Sequence, residues 1–225
     1  MSAFKTYDVK VNMPVSNTIA VKVDKGYRIY FESLGKVYKK LNQEEPKFIA
    51  NGYLLSVDGN GNIYLYRNIN IKTTKIYRID KNGNEKEMIT FNEKTLLVRR
   101  CGDVVIFITA KDKDFKEYDM DLINLKTAKK TVIQNASPNL VYGLPLFSDR
   151  GNIALVFYKD KKSQMVENGK IAELKNFESH ELPGTRMELG LNVYENLPIG
   201  FNKIVQLRKG GNSIKLLLVD VTTKF

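Results

Sequence analysis

An all-β fold is what this 225-residue sequence predicts, in the form of a five-bladed β-propeller of four-stranded antiparallel blades. Three observations point there. Apolar or alternating runs rich in Ile, Val, Tyr and Phe recur along the chain, bounded by Gly, Asn and Asp. Asn-Gly pairs stand at 51–52, 60–61, 82–83 and 168–169, each able to supply the positive φ of a tight hairpin turn. Asp58, Asp103 and Asp149 each sit at a turn between two apolar strands, spaced by 45 and 46 residues, the length of a four-stranded propeller blade.

The elements follow in order. Blade 1, residues 17–48, opens on NTIAVKV and YRIYFES around the turn at Asp24. Blade 2, residues 49–91, carries GYLLSV, NIYLYR and TKIYRI. Blade 3, residues 92–136, carries TLLVRR, VVIFITA and TAKKTVI; its segment 111–126 fits a polar loop followed by a strand better than a helix. Blade 4, residues 137–182, is built on NIALVFY. Blade 5, residues 185–225, shows only three strands, in MELGLNVYE, NKIVQLRK and SIKLLLVDV. Meanwhile FKTYDVKVNM (4–13) alternates as a strand yet has no place in blade 1. Unpaired strand edges are costly, so residues 4–13 are expected to supply the outermost strand of blade 5 and close the ring. A pair of β-sandwich domains is the alternative architecture.

The stretch PLFSDRGNIALVFY (145–158) resembles the Pro-x-Phe-Ser-Pro-Asp-Gly-x-x-Ile-Ala-Phe core of TolB-like (PD40) propeller repeats. In blade 2, DGNGNIYLYR followed by KIYRIDKNGNEKEMIT resembles the later strands of the same repeat. The proline before Asp149 is missing, and blade 3 has Cys-Gly-Asp at the corresponding turn. The resemblance implies a propeller fold and carries no activity, because such repeats occur in scaffolds and enzymes alike.

Composition narrows the function classes. Forty-three per cent hydrophobic and 27% charged residues are ordinary for a globular protein. No apolar run approaches the ~20 residues that cross a bilayer, so the chain is read as soluble and cytoplasmic. Cys101 is the single cysteine, which excludes an internal disulfide. His180 is the single histidine, in a polar stretch read as a loop, so neither a Ser-His-Asp unit nor a zinc set is expected. The segments 58–62 and 112–121 resemble fragments of calcium loops but lack the full acidic spacing. No metal and no cofactor are therefore expected. A glycosidase would need two carboxylates in the central pocket. Asp103 and Asp149 repeat with the blade and read as turn caps, which leaves Glu188 without a partner.

A formal charge of +11 implies attraction to polyanions. Loops joining second and third strands emerge on one end of a propeller, and here they read RNINIKTTK, KDKDFK, YKDKKSQ and RKGGN, with net charges of +3, +1, +2 and +2. The candidate binding residues on that basic face are Arg67, Lys72, Lys75, Lys111, Lys113, Lys116, Lys159, Lys161, Lys162, Arg208 and Lys209. Arg99, Arg100 and Glu188 are candidates for the central channel. The expected function is that of a monomeric, non-enzymatic scaffold that docks an acidic protein partner. A nucleic-acid or ribonucleoprotein-binding module using the same face, through RNA or DNA phosphates, is the alternative, and a glycoside-hydrolase-like enzyme the second.

Overall fold

The computed structural model describes the backbone of residues 5–101, 104–111, 114, 118–136 and seven later strands, with side chains at 9–98, 104–111, 114 and 118–132. After β1 (Lys5–Lys10) come three consecutive antiparallel meanders of four strands each. The first is β2 (Thr18–Val23), β3 (Gly26–Ser33), β4 (Lys36–Leu41) and β5 (Lys47–Asn51). The second is β6 (Tyr53–Val57), β7 (Ile63–Asn68), β8 (Thr74–Ile79) and β9 (Glu85–Phe91). The third is β10 (Lys94–Cys101), β11 (Val104–Ala110), β12 (Tyr118–Asn124) and β13 (Lys129–Ala136). A fourth sheet joins β14 (Leu144–Ser148), β15 (Ile153–Lys159), β16 (Lys162–Glu167) and β17 (Lys170–Glu173), with β18 (Ser179–His180) added against β14.

β1 does not join the first meander. It pairs antiparallel with β20 (Ser213–Leu218), from Lys5↔Leu218 to Lys10↔Ser213, in a sheet ordered β1–β20–β19, where β19 is Ile204–Lys209. The N-terminal strand is thus paired at the C-terminal sheet, and β19 in turn runs beside β2.

A repeated irregularity marks the meanders. Each of the three carries a register shift between its third and fourth strands, at Val37/Tyr38, Ile76/Tyr77 and Tyr118/Met120. A bulge of this kind raises local twist, which a blade needs to fan outward. Both faces of a sheet are buried where sheets stack face to face, so the inner strands read as continuous apolar runs and not as clean alternation. Ile19, Tyr30 and Val37 of the first sheet pack on Leu54, Ile63 and Leu65 of the second. On the second sheet's other face, Leu55, Tyr64, Ile76 and Phe91 meet Val105, Phe107 and Ile123 of the third. Val9, Val11 and Val15 cover Ala20, Ile29 and Phe31 on the other face of the first sheet. Each buried Phe or Ile contributes roughly 1.5–3 kcal/mol.

Three expectations about turns change. Asn51-Gly52 is no hairpin: it links β5 to β6, which lie in different sheets, and Gly52 N–H donates to Gly35 O at 2.8 Å. In the first sheet the β2–β3 turn, which the sequence marks at Asp24, is held from a distance by Asn42. Asn42 Nδ2 donates to Lys25 O at 2.7 Å, and Tyr27 N–H donates to Asn42 Oδ1 at 3.1 Å. Gly26 (φ 127°) makes room for this cap, since a Cβ there would lie 2.0 Å from Asn42 Oδ1. His180, expected in a loop, lies in β18 and pairs with Phe147. Among the described residues no helix is long and apolar enough to cross a membrane.

Candidate functional site

The acidic turns are occupied by their own backbone. Asp58 Oδ1 accepts from Asn60 N at 3.0 Å and Asn62 N at 2.9 Å, while Oδ2 accepts from Asn62 Nδ2 at 2.8 Å. Asp80 does the same with Asn82 N at 2.8 Å, Asn84 N at 2.9 Å and Asn84 Nδ2 at 2.9 Å. The two turns share the pattern Asp-x-Asn-Gly-Asn and lie at the same end of the second sheet. Hydrogen bonds from Asn84, then from Asn82 and Gly83, hold the Asp80 carboxyl below its ordinary range. Asp58 is thereby a turn cap, as its place in the repeat implies; Asp103 and Asp149 lie outside the described residues. Among the described residues no group of three His, Cys, Asp or Glu side chains gathers to hold a metal.

The buried carboxylates serve sheet packing. Glu32 Oε2 accepts from Leu54 N–H at 2.6 Å and Asn17 Nδ2 at 3.2 Å, and Oε1 accepts from Ser16 Oγ at 3.1 Å. Asn17 Nδ2 also donates to Leu54 O at 2.8 Å, so one polar bolt ties the first sheet to the inner strand of the second. Asp121 is buried, and Lys130 Nζ stands 3.1 Å from its Oδ2 without the alignment of a hydrogen bond. Burial pushes the Asp121 carboxyl above its ordinary range, against the pull of Lys130 and with the help of Glu93 and Asp119.

The basic face is partly neutralised. Arg67 Nη1 and Nη2 grip Glu85 at 2.7 and 2.5 Å, its Nε donates to Asn51 O at 2.9 Å, and its guanidinium lies 4.4 Å from the Tyr77 ring centre. The Glu85 bond holds the Arg67 guanidinium above its ordinary range. Lys75 pairs with Glu87 at 2.7 Å, which raises the lysine and, with Thr90, lowers the glutamate. Lys111 pairs with Asp119 at 3.3 Å. Lys72 is exposed on the β7–β8 loop, where its own N–H donates to Asn70 Oδ1 at 2.8 Å. Lys159 and Lys162 fall in β15 and β16, and Arg208 and Lys209 in β19; their side chains lie outside the described residues, as do Lys113, Lys116, Lys161 and Glu188. Arg99 and Arg100 are in β10, paired with Ile106 and Val105, and their side chains too lie outside the described residues.

What sequence reasoning missed at this end is apolar. Seven large hydrophobics are exposed among the described residues, and five of them lie here: Leu34 (83%), Ile71 (78%), Ile69 (51%), Tyr53 (40%) and Leu96 (37%). Leu34 sits on the β3–β4 turn at φ 49°, Ile69 and Ile71 on the β7–β8 loop, and Tyr53 and Leu96 at the starts of β6 and β10. Short bonds bring these positions to one end across three sheets. Gly35 bonds Gly52, Asn51 bonds Arg67, and Thr74 Oγ1 meets Thr95 Oγ1 at 3.2 Å. The Tyr53 ring stacks on Tyr66 with centroids 5.0 Å apart. The one readable signal was an isoleucine at 69 and again at 71, in a loop with no strand to bury them.

No protein-family model matches the chain, and no curated protein sequence matches it. Among solved structures, the chain is similar to virginiamycin B lyase from Staphylococcus aureus, at 11% identity over 96% of this chain and 99% of that one, with a TM-score of 0.46. It is similar to a protein assigned as TolB from Agrobacterium tumefaciens, at 10% identity over 91% of this chain and 76% of that one, with a TM-score of 0.44. A third is the N-terminal domain of Nup159, at 11% identity over 93% of this chain and 66% of that one, with a TM-score of 0.45. All three are propeller proteins.

Proposed function

We propose that this chain is a five-bladed propeller, its ring closed by β1 at the edge of the last sheet, and that it acts as a non-enzymatic, cytoplasmic scaffold that docks a protein partner. The observation that carries the reading is the end built from Leu34, Tyr53, Ile69, Ile71 and Leu96. Large apolar side chains exposed together at one end suit a contact site, and a nucleic-acid face would instead present free cations and stacking aromatics. Here Arg67, Lys75 and Lys111 are bound to carboxylates of the same sheets. Among the described residues of this end, Lys72 stands exposed at the rim, where a rim cation steers an acidic partner and adds little affinity. The partner is therefore a protein with an apolar anchor inside an acidic border, and the chain acts as a monomer.

Retention on heparin and on single-stranded RNA, measured against salt for the wild type and for Lys72→Glu, tests the choice. Weak retention that ends by about 0.15 M salt supports the protein-docking reading. Retention that persists well above that and falls in Lys72→Glu would instead establish the nucleic-acid module.

A further inference from the structure

Three of the chain's Asn-Gly pairs, at 51–52, 60–61 and 82–83, lie among the described residues; Asn168-Gly169 lies outside them. Asparagine is thermolabile, most of all before glycine. The Gly nitrogen attacks the Asn Cγ, ammonia leaves, and water opens the succinimide ring to aspartate or isoaspartate. The attack needs a glycine N–H released from its hydrogen bond, so the cost of local opening sets the rate. The structure gives the three pairs different costs.

Asn51-Gly52 is held most tightly. Gly52 is buried, its N–H donates to Gly35 O at 2.8 Å, and a Cβ there would lie 2.9 Å from Leu65 Cδ1 and from Tyr66 O. Asn51 O also accepts from Arg67 Nε at 2.9 Å. The other two pairs sit in the Asp-x-Asn-Gly-Asn turns, where Gly61 and Gly83 each donate to their Asp backbone oxygen at 3.0 Å. Their surroundings differ. Asp58 takes a further bond from the Tyr64 hydroxyl at 3.3 Å, and Asp58, Gly61 and Asn62 are half-buried. Residues 81–84 are all exposed, and a Cβ at Gly83 would meet nothing within 4 Å.

We propose that Asn82 is a self-modification site, converted in the folded protein to aspartate and isoaspartate by attack of the Gly83 nitrogen, with Asp80 as the cap that restrains it. The Gly83 N–Asn82 Cγ bond forms as the Cγ–Nδ2 bond breaks. The proton of the Gly83 N–H leaves with the ammonia, and water supplies the new acid oxygen. The product carries one more negative charge, in a turn that borders a groove of about 650 Å³ lined also by Arg28, Lys39, Lys47 and Lys81. Isoaspartate adds a methylene to the backbone of the turn, so Asp80 Oδ1 no longer spans Asn82 N and Asn84 N. The site lies at the opposite end of the second sheet from Ile69 and Ile71, so its failure and the failure of the docking reading are separate results.

The full chain is incubated in mildly alkaline buffer, folded and in urea, and peptide mapping by mass spectrometry follows each asparagine. In the folded chain Asn82 is expected to convert first, about fivefold faster than Asn60, the factor that one further net hydrogen bond is worth. Asn51 should be slowest, and urea should draw the three rates together. Asp80→Ala should speed conversion at Asn82 and leave Asn60 unchanged. A melt checks that this variant is folded; if it is not, the wild-type ranking carries the test. The proposal is overturned if Asn82 keeps its amide in the folded chain while losing it in urea, or if Asn60 or Asn51 converts as fast. A ranking that urea leaves unchanged, or an Asn82 rate that folded Asp80→Ala leaves unchanged, would also overturn it.

Discussion

Asp58 and Asp80 carry out one job twice. Each carboxylate gathers two backbone N–H groups and an asparagine amide, so the turn has little to gain from any external ligand. Asp58→Ala is expected to cost about 1–2 kcal/mol in a urea melt, the sum of modest net hydrogen bonds at a half-buried turn. Asp121 behaves in the opposite way. A carboxyl raised in the folded state contributes stability that is fully present below its unfolded value and is lost as pH rises through the raised one. Asp121→Asn removes that titration. It is expected to be more stable than the wild type by about 1 kcal/mol at neutral pH, with the gap closing as pH falls toward about 4. Melts across this window check it, and a gap that stays constant or widens on acidification would contradict the assignment. The role of Asp58 was readable from its repeat position. That of Asp121 was not, because the strand that brings Lys130 to it is set by the register of the third sheet, and Lys130 in turn meets the Phe91 ring of the neighbouring sheet at 4.7 Å.

At the scale of elements, strands and most turns follow from local pattern: the apolar runs at 18–23, 26–33 and 104–110 are strands that the sequence predicts, and Asn60-Gly61 and Asn82-Gly83 are turns. Pairings between sheets are less readable. Arg67 and Glu85 are 18 residues apart and belong to strands separated by β8; only the register of the whole meander brings them together. The Asn17–Glu32–Leu54 bolt is of the same kind. Glu32→Ala would leave the buried Leu54 N–H without its 2.6 Å acceptor and is expected to cost about 3 kcal/mol, more than Asp58→Ala. β1 tests a longer-range pairing. Deleting residues 1–12 would uncover the β20 edge and remove Val9 and Val11 from the first sheet. The truncated chain is expected to melt lower and to associate on concentration, as read by light scattering. An unchanged melt would show that the β1–β20 pairing contributes nothing to stability.

For the molecule as a whole, net charge alone does not say where the cations act. The +11 is real, but several of its cations are spent inside the sheets, and others gather in the groove between the first two sheets at the far end. The apolar end was not legible because a strand-end residue such as Tyr53 or Leu96 looks, in sequence, like any other member of an apolar run. Only the arrangement of sheets decides whether it meets a neighbour. One comparison bears most directly on the central claim: affinity-tagged wild type and Leu34→Asp/Ile71→Asp are drawn side by side from native extract, with the melt of each recorded. A folded double variant that loses a defined protein bound by the wild type is the predicted result. The account is contradicted if both forms retain the same proteins, or if what the wild type retains is nucleic acid.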